Sequence, residues 1–368
     1  MKYRFVRSAV PNEDERRILK FNPEEKKSAL KTLKASGDNN AIIRNLIVDM
    51  DGFMAKCVEM KDRNGDFAER WNTLSDSVVK GLKKIRMAPP PSPKSVESWA
   101  RQFPHAGELI GAVTDSLAIS RWTGDSVKLP HILLCGPPGI GKTAIAIAMA
   151  EMLGVPSQIE SMAQATARFI LTGSSLTWAT GNSGAILKTL LRGTGNPVVV
   201  LDELDKSVSS FSSSSIGGSI DESLLCLLEP VTAKLFKDEA LDWPIDASNV
   251  GYIATANDPD RISGPVLSRF DVFEIREPST SEMVEIIVPA IYEDLKKDMK
   301  LDGKLGGLPE DVAAKLAQNP RTVRKQLFRM IGRAARDQRT TLTVEMLGSE
   351  TDRPAKTPIG FTSKGDRT

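Results

Sequence analysis

The run Gly136-Pro137-Pro138-Gly139-Ile140-Gly141-Lys142-Thr143 sets three glycines, a lysine and a hydroxyl at a spacing that suits a polyphosphate. The glycines let successive backbone N–H groups turn inward on an anion, and a helix starting here would aim its positive end at the same point. Lys142 is spaced to reach β and γ phosphates, and the Thr143 hydroxyl to bind a magnesium ion. Such a loop needs a strand before it and a helix after it. The apolar run Ile132 to Cys135 and the alanine-rich stretch Ala144 to Leu153 supply both.

A phosphate loop of this kind calls for a carboxylate as second magnesium ligand. Pro197-Val198-Val199-Val200-Leu201 reads as a buried strand that ends in Asp202 and Glu203. In a parallel sheet, side chains at the carboxyl ends of strands face the ligand crevice. Asp202 is therefore the candidate for the metal, and Glu203 for orienting and deprotonating an attacking water. Asn257 ends another apolar strand, Tyr252 to Ala256. Its amide is suited to hold that water or a γ phosphate, while an Asn before Asp258-Pro259 is equally a turn former.

The elements that must position these groups follow from periodicity. Residues 1–38 are charge-dense and read as an arm. From Ala41 to Ile85 two sets of apolar residues at helical spacing, Ile42 to Met54 and Trp71 to Ile85, predict a small helical unit with a turn at Gly65. The prolines of 87–94 predict a semi-rigid linker. Ser95 to Trp122 reads as helix; strands at Gln158 to Ser161, Gly251 to Ala256 and Asp271 to Ile275 alternate with helices at Ser183 to Arg192 and Ile220 to Leu228. That alternation predicts a mainly parallel sheet with helices on both faces. After Ser279, a helix cap with Glu282 in register, the pattern is all helical. The expected organisation is an arm and helical unit over 1–86, a linker over 87–94, an α/β phosphate-loop core over 95–277, a helical lid over 278–348 and a disordered tail over 349–368. Ser207 to Ser219, rich in serine and glycine, is expected to be mobile.

Composition sets outer limits. Forty-nine basic against 47 acidic residues leave a net charge of +2, which carries no global signal for nucleic acid. No apolar run approaches bilayer length, so no membrane association is expected. Three scattered cysteines fit reduced thiols and a cytoplasmic location.

In their order along the chain, Gly136 to Thr143, Val198 to Lys206, Ala254 to Asn257 and Pro265 to Phe270 resemble the motifs of an AAA+ ATPase. Thr177-Trp178 with Gly181 and Gly184, Asn196-Pro197, and Glu222 to Pro230 make the stretch from Ser95 to Arg336 similar to the ATPase module of Lon proteases. The resemblance implies ATP and Mg2+ as ligands and a homo-oligomeric ring, by analogy of six subunits. It implies that Arg269 is an arginine finger acting on a neighbouring subunit. Arg321 would be the lid arginine that touches nucleotide in its own subunit, with Arg324 as its nearest rival. Trp178 would be the pore-loop aromatic that grips polypeptide, although Ala179 and Thr180 depart from the usual order after it.

Only Ser349 to Thr368 follows the lid, so no peptidase activity is expected. The expected function is Mg2+-dependent ATP hydrolysis in a ring that remodels or threads a protein substrate, the helical unit before the prolines recruiting that substrate or an effector partner. A nucleic-acid motor or loader shares the chemistry; basic residues between Lys315 and Arg339 favour it, and the 5% aromatic content argues against it. A slow ATP-dependent assembly switch is the third reading.

Overall fold

The computed structural model describes residues 41–164, 169–210, 220–317 and 322–347. The arm over 1–38, Arg321, most of Ser207 to Ser219 and the tail over 349–368 lie outside the described residues. Two compact units divide at Glu277 and Pro278.

The first unit is organised by five parallel strands, β3 (Ile132–Cys135), β4 (Ser157–Ser161), β5 (Val198–Asp202), β8 (Gly251–Ala256) and β9 (Asp271–Glu274), in the order β4-β5-β8-β3-β9. Because successive side chains alternate across a strand, the sheet feeds two cores. Ile132, Leu134, Val198, Val200 and Ile253 face one side. There they meet α5 (Lys142–Leu153) through Ile145 and Met149, and α3 (Pro93–Gln102) and α4 (Gly107–Thr123) through Trp99, Leu109, Val113 and Leu117. Leu133, Cys135, Val199, Leu201, Tyr252, Ala254 and Ala256 face the other side.

That second core includes α1 (Met50–Lys61) and α2 (Asp66–Leu82). Phe53 lies 6.1 Å from the Trp71 ring and 5.5 Å from that of Trp243. The Trp71 indole donates to the Leu241 carbonyl at 3.0 Å, and the Trp243 indole to that of Val48 at 2.7 Å. The stretch over 87–94 is stitched to the same unit: the Ala88 N–H donates to Asn196 Oδ1 at 2.7 Å, and Arg121 to the Pro91 carbonyl at 2.8 Å.

Three local differences from the sequence reading have plain causes. Ile43 belongs to a two-residue strand, β1 (Ile43–Arg44), paired antiparallel with β2 (Ile85–Arg86), because pairing partners distant in sequence override helical spacing. The stretch over 95–122 is two helices, since Pro104 starts a short 3-10 turn and restricts Phe103 before it. Phe236–Lys237 and Pro244–Ile245 (β6 and β7) form a short hairpin that the sequence did not announce.

The second unit is helical. Ser279 and Glu282 form a reciprocal capping box at its start. The helix continues through a π turn, Met283–Ile287, into α6 (Val288–Asp298). Pro289 has no N–H to donate to the preceding turn, which accounts for the wider turn there. Tyr292, Leu316, Leu327 and Met330 fill its core, and the Tyr292 hydroxyl donates to the Gly306 carbonyl at 2.9 Å.

Candidate active site

Strand register builds the site. In β3, Cys135 lies level with Ala256 of β8 and Glu274 of β9, so the phosphate loop and Asn257 leave the sheet side by side at its carboxyl edge. Gly136 has φ 142°, and a Cβ there would come within 2.5 Å of the Ile275 carbonyl oxygen. Gly141 has φ 94° directly before α5. Both positions favour glycine, which lets Gly136 to Thr143 wrap back onto the helix start.

Lys142 is buried, and its ammonium donates to the carbonyls of Gly136 and Pro137 at 2.7 and 2.9 Å and to Asn257 Oδ1 at 2.9 Å. The Thr143 hydroxyl donates to Asp202 Oδ1 at 2.7 Å. Leu201 pairs with Ala254, which sets Asp202 beside Thr255. The buried Thr255 hydroxyl donates to Asp202 Oδ1 at 2.7 Å and accepts the Glu203 N–H at 3.0 Å. One hydroxyl thus orients the aspartate and the backbone of the next residue.

Glu203 sits in the left-handed region with φ 58°, which costs a non-glycine residue about 1–2 kcal/mol and marks a position under constraint. Its carboxylate is paired with Lys206. Asp205, buried, accepts the N–H groups of Asn257 and Asp258 at 3.1 and 3.2 Å, tying the strand tip to the turn after β5.

Thr255 and Asp205 escape a reading by spacing, because their roles depend on register between strands over 50 residues apart. Their one sequence signal is position: each stands within three residues of an acid or amide at a strand end.

A magnesium ion fits this donor set. Thr143 Oγ1 and Asp202 Oδ1 already touch, and this hydroxyl and carboxylate are the oxygen donors that would hold the ion. Among the described residues, no group of three or more Asp, Glu, His or Cys side chains is arranged to hold a metal ion.

The remaining candidates lie elsewhere. Arg269, two residues before β9, is at the amino edge of the sheet, and one nitrogen donates to the Pro265 carbonyl at 2.7 Å. Its Nε lies 3.9 Å from a Glu229 oxygen and makes no hydrogen bond. Trp178 is half exposed at the turn of a loop between Gly173 and Gly184, its ring edge-on to Phe169 at 5.8 Å. The base of that loop is fixed by Asp238, which accepts the Gly184 N–H at 2.8 Å and the Ala240 N–H at 2.9 Å; burial pushes its carboxyl up to about 6. Arg324 pairs with Asp298 at 2.8 Å in the helical unit.

Residues 132–277 match the model of the ATPase family associated with various cellular activities, AAA. The chain is 37% identical over 175 residues to the Lon protease of Porphyromonas gingivalis, a match covering 47% of this chain and 20% of that protein. It is also 37% identical over 175 residues to the peroxisomal Lon protease homolog 2 of Caenorhabditis elegans, covering 47% of this chain and 22% of that one. The match thus spans about a fifth of the length of these curated relatives. Among solved structures the chain is similar to the Thermotoga maritima RuvB Holliday junction branch migration motor, with 17% identity, a TM-score of 0.40 and coverage of 70% of this chain and 67% of that one. No described helix is long and apolar enough to cross a membrane. The phosphate loop, the acidic end of β5 and the tip of β8 all fall inside the segment, residues 132–277, that matches the AAA family of ATPases.

Proposed function

We propose that this chain hydrolyses ATP with Mg2+ in a homo-oligomeric ring and uses the turnover to remodel or thread a polypeptide. The observation that carries the chemistry is the continuous chain of hydrogen bonds from Thr143 through Asp202 and Thr255 to the backbone of Glu203, beside the contact of Lys142 with Asn257. Substrate phosphates would displace Lys142 from the loop carbonyls and take its three donors. A magnesium ion held by Thr143 and Asp202 would supply charge neutralisation at the phosphates. Glu203, released from Lys206, takes a proton from the attacking water as an oxygen of that water bonds to the γ phosphorus and the bond to the ADP oxygen breaks. Asn257, held by Asp205, orients that water or the γ phosphate.

Arg269 supports assembly. It stands at the amino edge of the sheet and the phosphate loop at the carboxyl edge, roughly 13–20 Å away for strands of four to six residues. An arginine side chain does not span that distance, so Arg269 serves a neighbouring subunit's site. The half-exposed Trp178 supports a polypeptide substrate, since an aromatic offers large contact area with little sequence preference.

A second reading, a nucleic-acid motor, is favoured by one surface. The helix Val323–Arg336 exposes Lys325, Arg329 and Arg336 around Phe328.

The test is ATP turnover of the full chain across protein concentration, alone, with unfolded casein and with single-stranded DNA. Turnover that rises with concentration and with casein supports the reading. Stimulation by DNA alone replaces polypeptide with nucleic acid.

A further inference from the structure

The tip of the loop that carries Trp178 is held from outside the loop as well as from within it. From α2, 106 residues earlier and more, the Arg70 guanidinium donates to the carbonyls of Leu176 at 3.3 Å and Trp178 at 3.0 Å, and with its other terminal nitrogen to that of Gly181. Asp66, one turn earlier on the same helix, lies 3.6 Å from it. Three backbone acceptors converging on one planar donor define both the height and the tilt of the turn.

The loop's own bonds join it at the tip, where the Trp178 N–H donates to the Ser175 carbonyl at 3.1 Å and the Gly181 N–H to the Trp178 carbonyl at 2.9 Å, and they also hold the neck. The Ser174 N–H donates to the Asn182 carbonyl at 2.8 Å and closes the neck, and Asp238 anchors Gly184 beneath. The turn is tight: a Cβ on Gly181 would lie 2.0 Å from the Ser175 carbonyl oxygen. The adjacent residue of the helix, Trp71, donates to the Leu241 carbonyl, three residues from Asp238. Arg70 and Trp71 thus reference the tip and the base of the loop to the same helix.

We propose that Arg70 is a positioning residue for Trp178 and that α1 and α2 brace this loop against load, so that force on a gripped chain passes into the N-terminal helices. The proposal rests on the reading of Trp178 as the polypeptide grip. Two helices joined to the sheet core through Phe53 of α1 and Trp71 of α2 are a stiff support, and a guanidinium is the donor type that holds several carbonyls without fixing the side chain at Trp178 itself.

The test uses the full chain and the variants Arg70→Ala and Arg70→Lys. Alanine keeps the helix, and lysine keeps the charge while losing the fork. Two quantities are read: the rate of chymotryptic cleavage after Trp178, mapped by mass spectrometry, and the casein dependence of ATP turnover. Losing these hydrogen bonds should raise cleavage after Trp178 about tenfold in Arg70→Ala. The casein concentration for half-maximal stimulation should rise by a similar factor while the maximal stimulated rate changes less than about twofold. Arg70→Lys should resemble Arg70→Ala, and low millimolar guanidinium should restore the alanine variant. Unchanged cleavage in Arg70→Ala, or a lysine variant that behaves as wild type, overturns the clamp. If cleavage rises but casein never stimulates even the wild type, the clamp stands and the polypeptide-grip reading falls.

Discussion

Thr255 is the residue on which the proposed chemistry turns most and which carries none itself. Its single hydroxyl serves Asp202 as donor and the Glu203 N–H as acceptor. Thr255→Val preserves shape and removes both bonds, leaving a part-buried N–H unpaired. It should cost about 1–3 kcal/mol of stability. ATP turnover should fall about tenfold or more through misplaced Glu203, with nucleotide binding within a fewfold of wild type, as measured by urea unfolding and steady-state kinetics. Glu203→Gln removes the proposed base and leaves the fold alone. Turnover should drop by about two to four orders of magnitude while a fluorescent ATP analogue still binds.

Asp238 gives a prediction in pH. Its folded carboxyl is raised from 3.8 to about 6 because it is buried, so the folded chain binds its proton more tightly than the unfolded chain. Such a group contributes stability that is complete below its unfolded value and is lost as pH rises through about 6. Urea unfolding at closely spaced pH values should show wild type losing up to the order of 3 kcal/mol between about pH 4 and 6 relative to Asp238→Asn, which has no proton to lose.

At the scale of elements, the phosphate strand, the acidic strand and β8 fall where apolar runs between turn signals put them. A fully buried parallel strand is a local, continuous signal. What the sequence does not carry is who packs on whom. Ile42 and Ile43 keep helical spacing with Leu46 and Ile47, yet Ile43 pairs with Arg86. The helical spacing before the prolines predicts a small helical unit without naming what it packs on, and Phe53, Trp71 and Leu82 of that stretch share one core with Leu201 and Tyr252. The Arg70 contacts were illegible for the same reason: an arginine on the polar face of a helix looks like any salt-bridge partner until the loop beside it is placed.

This shared core has a measurable consequence. Phe53→Ala should destabilise by about 3–5 kcal/mol. The loss should appear in the unfolding of the whole first unit, with the helices and the sheet melting in one transition by circular dichroism and by tryptophan fluorescence. Helices that melt separately at lower temperature would contradict a single core.

At the scale of the whole molecule, the proposed site is incomplete within one chain. The loop, Asp202, Glu203 and Asn257 stand together at one edge of the sheet and Arg269 at the other. This division was legible in part: the order of motifs gave each residue its place along the chain, and only the strand register puts Arg269 on the far side. The proposed turnover is therefore a property of neighbours.

Mixing Arg269→Ala with Glu203→Gln tests this most directly. Each variant alone lacks one half of every site and should be nearly inactive. Mixed in equal amounts, they should recover about a quarter of wild-type turnover, the share of interfaces that join an intact Glu203 to a neighbour's intact Arg269 in a closed ring with random order. A mixture no more active than its components, under conditions where the two variants exchange subunits, would contradict action of Arg269 across an interface and with it the proposed ring-dependent hydrolysis.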